Sequence, residues 1–408
     1  MNMDFEEHYD VVIAGAGVAG IAAALECARN GLKTGLVEKT ILTGGLATSG
    51  LINYYLPLCD GKGHQVTFGI AEELFHLSIL YGPGAVPQNW RSETPKPEAE
   101  RYRTPFSPAS FVLALDEALV KAGVTVLLDT LACKPVMTGD RISGIEAETK
   151  AGRGVFHAPV IIDATGDADI ACRAGVPCHK GQNYLSLWAL HISLEAAQKA
   201  AAQPGKNHLL QGVRFGGNAF GAGHPPGMPL FCGTDHHDVS TFVLEGRRLM
   251  REYYQGKQTS NESTNRFNLF PLTLPAQAQF RTTRYAQGKT TLVDDQHNTY
   301  FEDSVGLAAD WRKPGYVWEI PQGTLIPLNV RGLLTAGRCI SSSGDAWEVT
   351  RVIPAAALTG QAAGIIARLA VKNKQMPDEI APAAVQQELR KLEIPYHLRD
   401  VGLAYRSA

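Results

Sequence analysis

The sequence predicts an α/β fold in which a Rossmann-like nucleotide domain is interrupted by an inserted α+β region. Three observations predict it. A β-branched run, Tyr9–Ala14, leads into Gly15-Ala16-Gly17-Val18-Ala19-Gly20 and then an alanine- and leucine-rich helix over Ile21–Asn30. Strand-then-glycine patterns return near 160 and 332 but are missing between about 182 and 320. The 408 residues also exceed one ordinary core, at roughly 150 residues per domain.

Composition narrows the classes. Hydrophobic residues at 45% and charged residues at 19% exclude a wholly disordered or fibrous chain. Lys+Arg (38) and Asp+Glu (40) give a net charge of −2, which offers no sequence-independent attraction to nucleic acid. The acidic start, Met1-Asn2-Met3-Asp4-Phe5-Glu6-Glu7, lacks the basic-then-apolar order of a signal peptide. Val11–Gly20 is too short and glycine-rich to span a bilayer, and no membrane association is expected. Seven scattered cysteines form no C-x-x-C pair and read as free or buried thiols in a reducing compartment, hence a cytoplasmic protein.

Along the chain, Gly31 suits the C-terminal cap of the first helix, and Lys33–Glu38 is the second strand. Residues 40–105 read as irregular, rich in Gly and Pro. A helix is expected over Pro108–Ala122, a strand over Val124–Leu128, a hairpin over 141–148 and 153–157, and a buried strand over Pro159–Asp163. Gly332–Gly337 is a further buried strand, followed by helices over Ala355–Ala370 and Ala383–Leu392. The expected division is a nucleotide domain of 1–50, 108–181 and 321–375, a substrate or cap region of 51–107 and 182–320, and a C-terminal helical segment of 376–408.

Gly15-x-Gly17-x-x-Gly20, between strand and helix, fits a dinucleotide site. The first glycine makes the tight turn, the second admits a pyrophosphate, and the third allows close helix–strand packing. The helix N-terminus then offers free N–H groups to the phosphates. Glu38 ends the second strand 18 residues after Gly20, where a carboxylate accepts from ribose hydroxyls and repels a 2′-phosphate. Four further segments favour FAD over NAD. Thr43-Gly44-Gly45-Leu46-Ala47 can lie beside an isoalloxazine ring. Asp163-Ala164-Thr165-Gly166-Asp167 and Thr335-Ala336-Gly337-Arg338 end buried strands. Arg351-Val352-Ile353-Pro354 enters a helix whose N-terminus favours an anion.

This ordered set, with Phe280-Arg281-Thr282-Thr283-Arg284 and Gly360-Gln361-Ala362-Ala363-Gly364, resembles the FAD-dependent oxidoreductases related to the fumarate reductase and succinate dehydrogenase flavoproteins. The resemblance covers most of the chain. It implies a Rossmann-like FAD-binding domain with an inserted α+β substrate domain, and extended FAD held by Gly15, Gly17, Ala19, Gly20, Glu38, Lys39, Gly44, Gly45, Leu46, Ala47, Ala164, Thr165, Gly166, Gly337, Arg338, Ile353 and Pro354. Two departures stand out. No histidine lies between Glu38 and Gly50, which favours non-covalent FAD. Gly344, Asp345, Trp347 and Glu348 stand where such families often carry histidines.

The candidates for chemistry are Arg351, Arg281 and His191. Arg351 can bind a substrate carboxylate bidentately or form an ion pair with Asp345 or Glu348. Arg281 and Arg284 share a face if helical, as a cationic site or as structural pairs. His191 shares a strand face with Leu187 and Ala189, as a proton donor or as a core histidine. His236-His237, read as neighbours on a strand, point apart and argue against a metal. Trp311, Tyr316 and Trp318 suit either a substrate cleft or core packing. The reading is an FAD-dependent oxidoreductase moving a hydride or two electrons between flavin and a small organic substrate, with an unknown electron donor or acceptor. The alternatives are an FAD-dependent RNA-modification flavoprotein and a non-catalytic FAD-binding scaffold.

Overall fold

The computed structural model describes residues 3–91, 101–259 and 263–406, so parts of the expected 1–50, 51–107, 182–320 and 376–408 regions lie outside the described residues. Five strands form one parallel sheet in the order Leu333–Thr335, Val160–Asp163, Val11–Ala14, Thr34–Val37, Thr125–Leu127. Register aligns Ile13 with Ile162 on one side and Leu36 on the other. Every residue of the four strands from Val11, Thr34, Val160 and Leu333 is buried, as a parallel sheet covered on both faces requires.

The helix Val18–Arg29 begins three residues earlier than the sequence suggests, because Gly17 itself serves as the N-cap. It packs against Ile353–Asn373, and Leu25, Ile365 and Ile366 between them are fully buried. Truncating any of the three to Ala costs about 2–5 kcal/mol. Ile353–Asn373 is long and apolar enough to cross a membrane by length and composition, but 94% of its apolar window is buried inside the protein. The expected hairpin forms over Arg141–Thr149 and Gly152–His157, and widens into a four-stranded sheet with Leu131–Thr138 and, in parallel, the acidic Phe5–His8.

Five of the described helices are absent from the sequence reading: Ile70–Ser78, Asp169–Arg173, Leu194–Ala202, His236–Thr259 and Gly344–Thr350. Ile70–Ser78 lies in the stretch read as irregular, with Glu72 and Glu73 in its first turn favouring the positive end of its dipole. His236–Thr259 is the longest helix described, so His236 and His237 open a helix and do not sit on a strand. It covers one face of an antiparallel sheet ordered Gln211–Gly216, Ser186–Ser193, Leu269–Thr273, where Leu187, Ala189, Phe215, Met250 and Tyr254 form a small separate core.

Both stretches assigned by sequence to the cap send side chains into the large nucleotide-side core. Tyr55, Leu58, Leu74 and Phe75 lie there, as do Val305, Ala308, Trp318 and Ile320 from the buried hairpin Ser304–Ala309 and Val317–Pro321. The C-terminal segment contributes Pro382–Lys391 and then a strap fixed on buried Glu319, which accepts from Leu398 N–H (3.0 Å) and Tyr405 O–H (2.7 Å).

Candidate functional site

The site grows from the end of Val11–Ala14. Gly15 turns the chain at φ +100°, a value that L side chains rarely adopt, and a Cβ there would lie 2.6 Å from the Ala164 carbonyl oxygen. At Gly20 an added Cβ would fall 1.9 Å from the Gly15 oxygen, so strand and helix close here. At Gly17 an added Cβ would meet no protein atom within 4 Å. No side chain caps the helix that starts there, so its first N–H groups have no side-chain acceptor beside this open volume.

That space is one cleft of about 980 Å³, mouth included. It brings together the separated segments singled out in the sequence: Gly15, Gly17, Ala19, Glu38, Lys39, Gly44, Gly45, Leu46, Ala47, Ala164, Thr165, Gly166, Gly337, Arg338, Ile353 and Arg351 all line it. Gly20 and Pro354 are not among its lining, and Gly20 acts in the packing behind it. Val18 and Ala336, inside segments singled out in the sequence, also line the cleft, as do Val37, Thr130, Leu131, Ala132, Asp169, Gln277 and Ala356, which were not foreseen. Thr130–Ala132 follow the edge strand Thr125–Leu127, and the rule that ligands lie beyond the carboxyl ends of parallel strands is the signal that would have found them.

Glu38 is only 7% exposed. Its carboxylate accepts from Ala16 N–H (3.0 Å) on one oxygen, and from Thr40 N–H and O–H (both 2.9 Å) on the other. Asp163, fully buried, accepts from Thr165 N–H and O–H, and from the N–H groups of Ile170 and Ala171, so it caps the helix Asp169–Arg173. Burial raises its pKa against those hydrogen bonds. Arg338 spends its guanidinium on the protein, donating to the carbonyls of Gly166 (2.6 Å) and Phe280 and to the Asp167 carboxylate. Its side chain therefore braces the cleft wall.

Arg351 pairs with Glu348, as one of its two readings required, while Asp345 pairs with Arg312 and Lys313. Its Nε is nevertheless buried with no hydrogen-bond partner among the described residues. Arg281 and Arg284 do not share a helix. Arg284 opens the strand Arg284–Ala286 and turns to Asp169 and the Asp167 carbonyl, while Arg281 Nη2 reaches Ser186 Oγ at 3.4 Å. Burial first, then the Arg351 charge, push Arg281 down to about 10, with Glu348 opposing.

His191 does sit on the face of Leu187 and Ala189, but that face is the one under the long helix, with the Tyr254 ring at 6.4 Å. It does not line the cleft, which removes the support for a proton-donor role. Burial lowers its pKa. Trp318 is in the core, Trp311 donates to the Glu348 carbonyl, Tyr316 stacks on His297 at 3.8 Å, and none of the three lines the cleft.

A family model described as FAD dependent oxidoreductase matches residues 10–189 and 185–389. The chain belongs to the FAD dependent oxidoreductase family. It is 37% identical over 78 residues to the thioredoxin reductase of Ureaplasma parvum serovar 3, across 19% of this chain and 25% of that one. It is 26% identical over 174 residues to Protein FixC of Azorhizobium caulinodans, across 40% of this chain and 37% of that one. These matches thus span well under half the length of either relative. Among solved structures, a geranylgeranyl bacteriochlorophyll reductase-like protein from Thermoplasma acidophilum has a TM-score of 0.50 and 14% identity, covering 98% of this chain and 89% of that one, which shows a shared fold.

FAD is thus the cofactor of this family member. The cleft residues suit it. The unfilled volume at Gly17 faces uncapped N–H groups, as a pyrophosphate requires. A second uncapped helix start, Val352–Ile353, borders the same cleft.

Proposed function

We propose that this flavoprotein transfers a hydride or two electrons between non-covalently bound FAD and a small organic substrate that enters from the cap side. FAD supplies the redox chemistry when bound. The observation that carries the reading is the convergence of five separated segments, 15–19, 38–47, 164–166, 336–338 and 351–356, on one cleft.

In this reading Gly17 and the Val18 helix start hold the pyrophosphate, and the Glu38 carboxylate, already oriented by Ala16 and Thr40, accepts from the ribose. Backbone at Gly44–Ala47 and the Ile353 helix start border the ring, and Arg338 positions the wall. Arg351 offers a fixed cation there, and Arg281 a second one beyond it. The kinship with fumarate reductase flavoproteins belongs to the same reading and rests on motif order. So does a division into nucleotide and cap parts. Core packing favours leaving 304–321 and 54–79 with the nucleotide part and the sheet Ser186–Ser193 with its helix as the cap. The electron partner is a second molecule, and the seven cysteines, none in a disulfide, fit a cytoplasmic location.

The purified protein is expected to be yellow, to release intact FAD on denaturation, and to bleach under an anaerobic reductant. A colourless protein that cannot be reconstituted with FAD overturns the proposal.

A further inference from the structure

Two of the seven cysteines, Cys172 and Cys178, are brought together by the fold, and both are partly exposed. Cys172 stands in the last turn of the short helix Asp169–Arg173. The chain leaves that helix through Gly175 at φ +90°, and buried Val176 donates back to the Ala171 carbonyl (3.0 Å). Cys178 then opens the strand Cys178–Lys180.

Local structure aims the two sulfurs at one place. Cys178–Lys180 pairs antiparallel with Arg284–Ala286, Lys180 facing Arg284 and Cys178 facing Ala286. Directly opposed residues project to the same side, and so do alternate residues along a strand, so Cys178 and Arg284 share a face. From that face the Arg284 guanidinium crosses to the helix, where it donates to the Cys172 sulfur (3.3 Å) and to the Asp169 carboxylate (2.5 Å). There the Cys172 and Cys178 thiols lie against each other. Asp169 lines the cleft and neither cysteine does, so the pair stands behind the cleft wall.

The two sulfurs differ in their surroundings. Cys178 packs against the core that holds Ile170 and Val176. Burial, then the Cys172 thiol beside it, push Cys178 up to about 12. Cys172 instead meets a cation, which stabilises the negative charge that gathers on a sulfur as it attacks.

We propose that Cys172 and Cys178 form a reversible disulfide, a modification site in which Cys172 attacks and Cys178 resolves. The oxidant is a small-molecule disulfide of the glutathione class. Cys172, giving up its proton, attacks one sulfur of the oxidant, forms a mixed disulfide with it and releases one small thiol. Cys178, giving up its own proton, then attacks the Cys172 sulfur, closes the Cys172–Cys178 bond and releases the second small thiol. The two cysteine protons end on the released thiols. Two electrons pass from protein to oxidant, so two protein thiols become one disulfide and one small disulfide becomes two thiols. An accessible sulfur beside a cation, with a resolving thiol in contact, is the arrangement of a redox-sensing cysteine. Neither step uses the flavin, so the site stands whatever the cleft binds.

The test uses the FAD-loaded protein, reduced with dithiothreitol, freed of it, and incubated without oxygen in buffers of rising oxidised-to-reduced glutathione ratio. Free thiols are then blocked with iodoacetamide, and the protein is cut with trypsin, which cleaves after Arg173 and so separates the two cysteines. A joined peptide pair carrying Cys172 and Cys178 is expected, rising with the ratio and lost on reduction. In Cys178→Ser the reaction is expected to stop with glutathione held on Cys172. In Cys172→Ser glutathione should reach Cys178 roughly tenfold or more slowly than it reaches Cys172 in Cys178→Ser. If either serine variant folds poorly, the joined peptide in the unaltered protein decides. Both cysteines carrying the blocking group at the highest ratio, either one joined to Cys133 or Cys232 instead, or glutathione remaining on Cys172 in the unaltered protein overturns the site. Equal rates in the two serine variants overturn the order of attack.

Discussion

Gly17 and Gly20 lie in one turn of sequence, yet their substitution should fail in opposite ways. Gly17 has φ −70° and ψ 173°, a conformation open to alanine, and an added Cβ meets no protein atom within 4 Å. Gly17→Ala should therefore leave the FAD-free protein within about 1 kcal/mol of wild type, the scale of an N-cap change. The methyl group does enter the volume assigned to the pyrophosphate. Overpacking costs about 1–3 kcal/mol, so FAD affinity should fall roughly 5- to 150-fold. In Gly20→Ala the Cβ would lie 1.9 Å from the Gly15 carbonyl oxygen, backbone that cannot yield without opening the strand–helix junction. That variant should lose fold and FAD together. The assay strips FAD from each protein, measures melting of the FAD-free form so that ligand linkage does not enter, then titrates FAD by flavin fluorescence. Wild-type FAD affinity in Gly17→Ala, or FAD-free melting as low as that of Gly20→Ala, refutes the reasoning.

Further outcomes follow from single side chains. Glu38→Ala removes the acceptor of buried Ala16 N–H and the proposed ribose acceptor, so FAD affinity should fall by about 1–3 kcal/mol in the same titration; unchanged affinity means the ribose is held elsewhere. Arg351→Lys keeps the charge and loses the Nε donor, so FAD content and melting should stay close to wild type while anaerobic reduction of the flavin slows. Collapsed melting with normal reduction in the remaining folded protein would mean that Arg351 serves only its Glu348 pair. His191 has a folded pKa below its ordinary value, because burial disfavours the charged form. Below about pH 6.5 the unfolded chain binds a proton that the folded protein refuses, so stability falls with pH by at most ~1.4 kcal/mol per unit. His191→Phe should flatten part of that slope in acid-range melting curves and leave flavin reduction unchanged, and an unaltered slope counts against the assignment.

Local signals made the nucleotide site legible. The glycine spacing, the acid ending the second strand and the small-residue strand ends each encode a backbone requirement within a few residues, and most of those residues meet in one cleft. What stayed hidden depends on distant packing. Alternation put His191 with Leu187 and Ala189, but nothing local says which sheet face a helix will cover. The helix His236–Thr259 is polar on average, yet its buried positions Phe242, Gly246, Met250 and Tyr254 recur every four residues, a stripe that its charged surroundings obscured. The Arg281–Arg284 pair would share a face only in a helix, but the chain turns extended there and sends the two guanidiniums to different elements. Arg338 sits where the sequence put it, but its bonds go to Gly166, Phe280 and Asp167, partners 58 to 172 residues away.

The most direct test of the account is a crystal structure of the protein with its FAD. The account predicts pyrophosphate density in front of the Val18 helix start beside Gly17, the adenosine ribose on the Glu38 carboxylate, and the ring bordered by Gly44–Ala47 and the Ile353 helix start. Density for FAD outside this cleft, or a ribose turned away from Glu38, would contradict it.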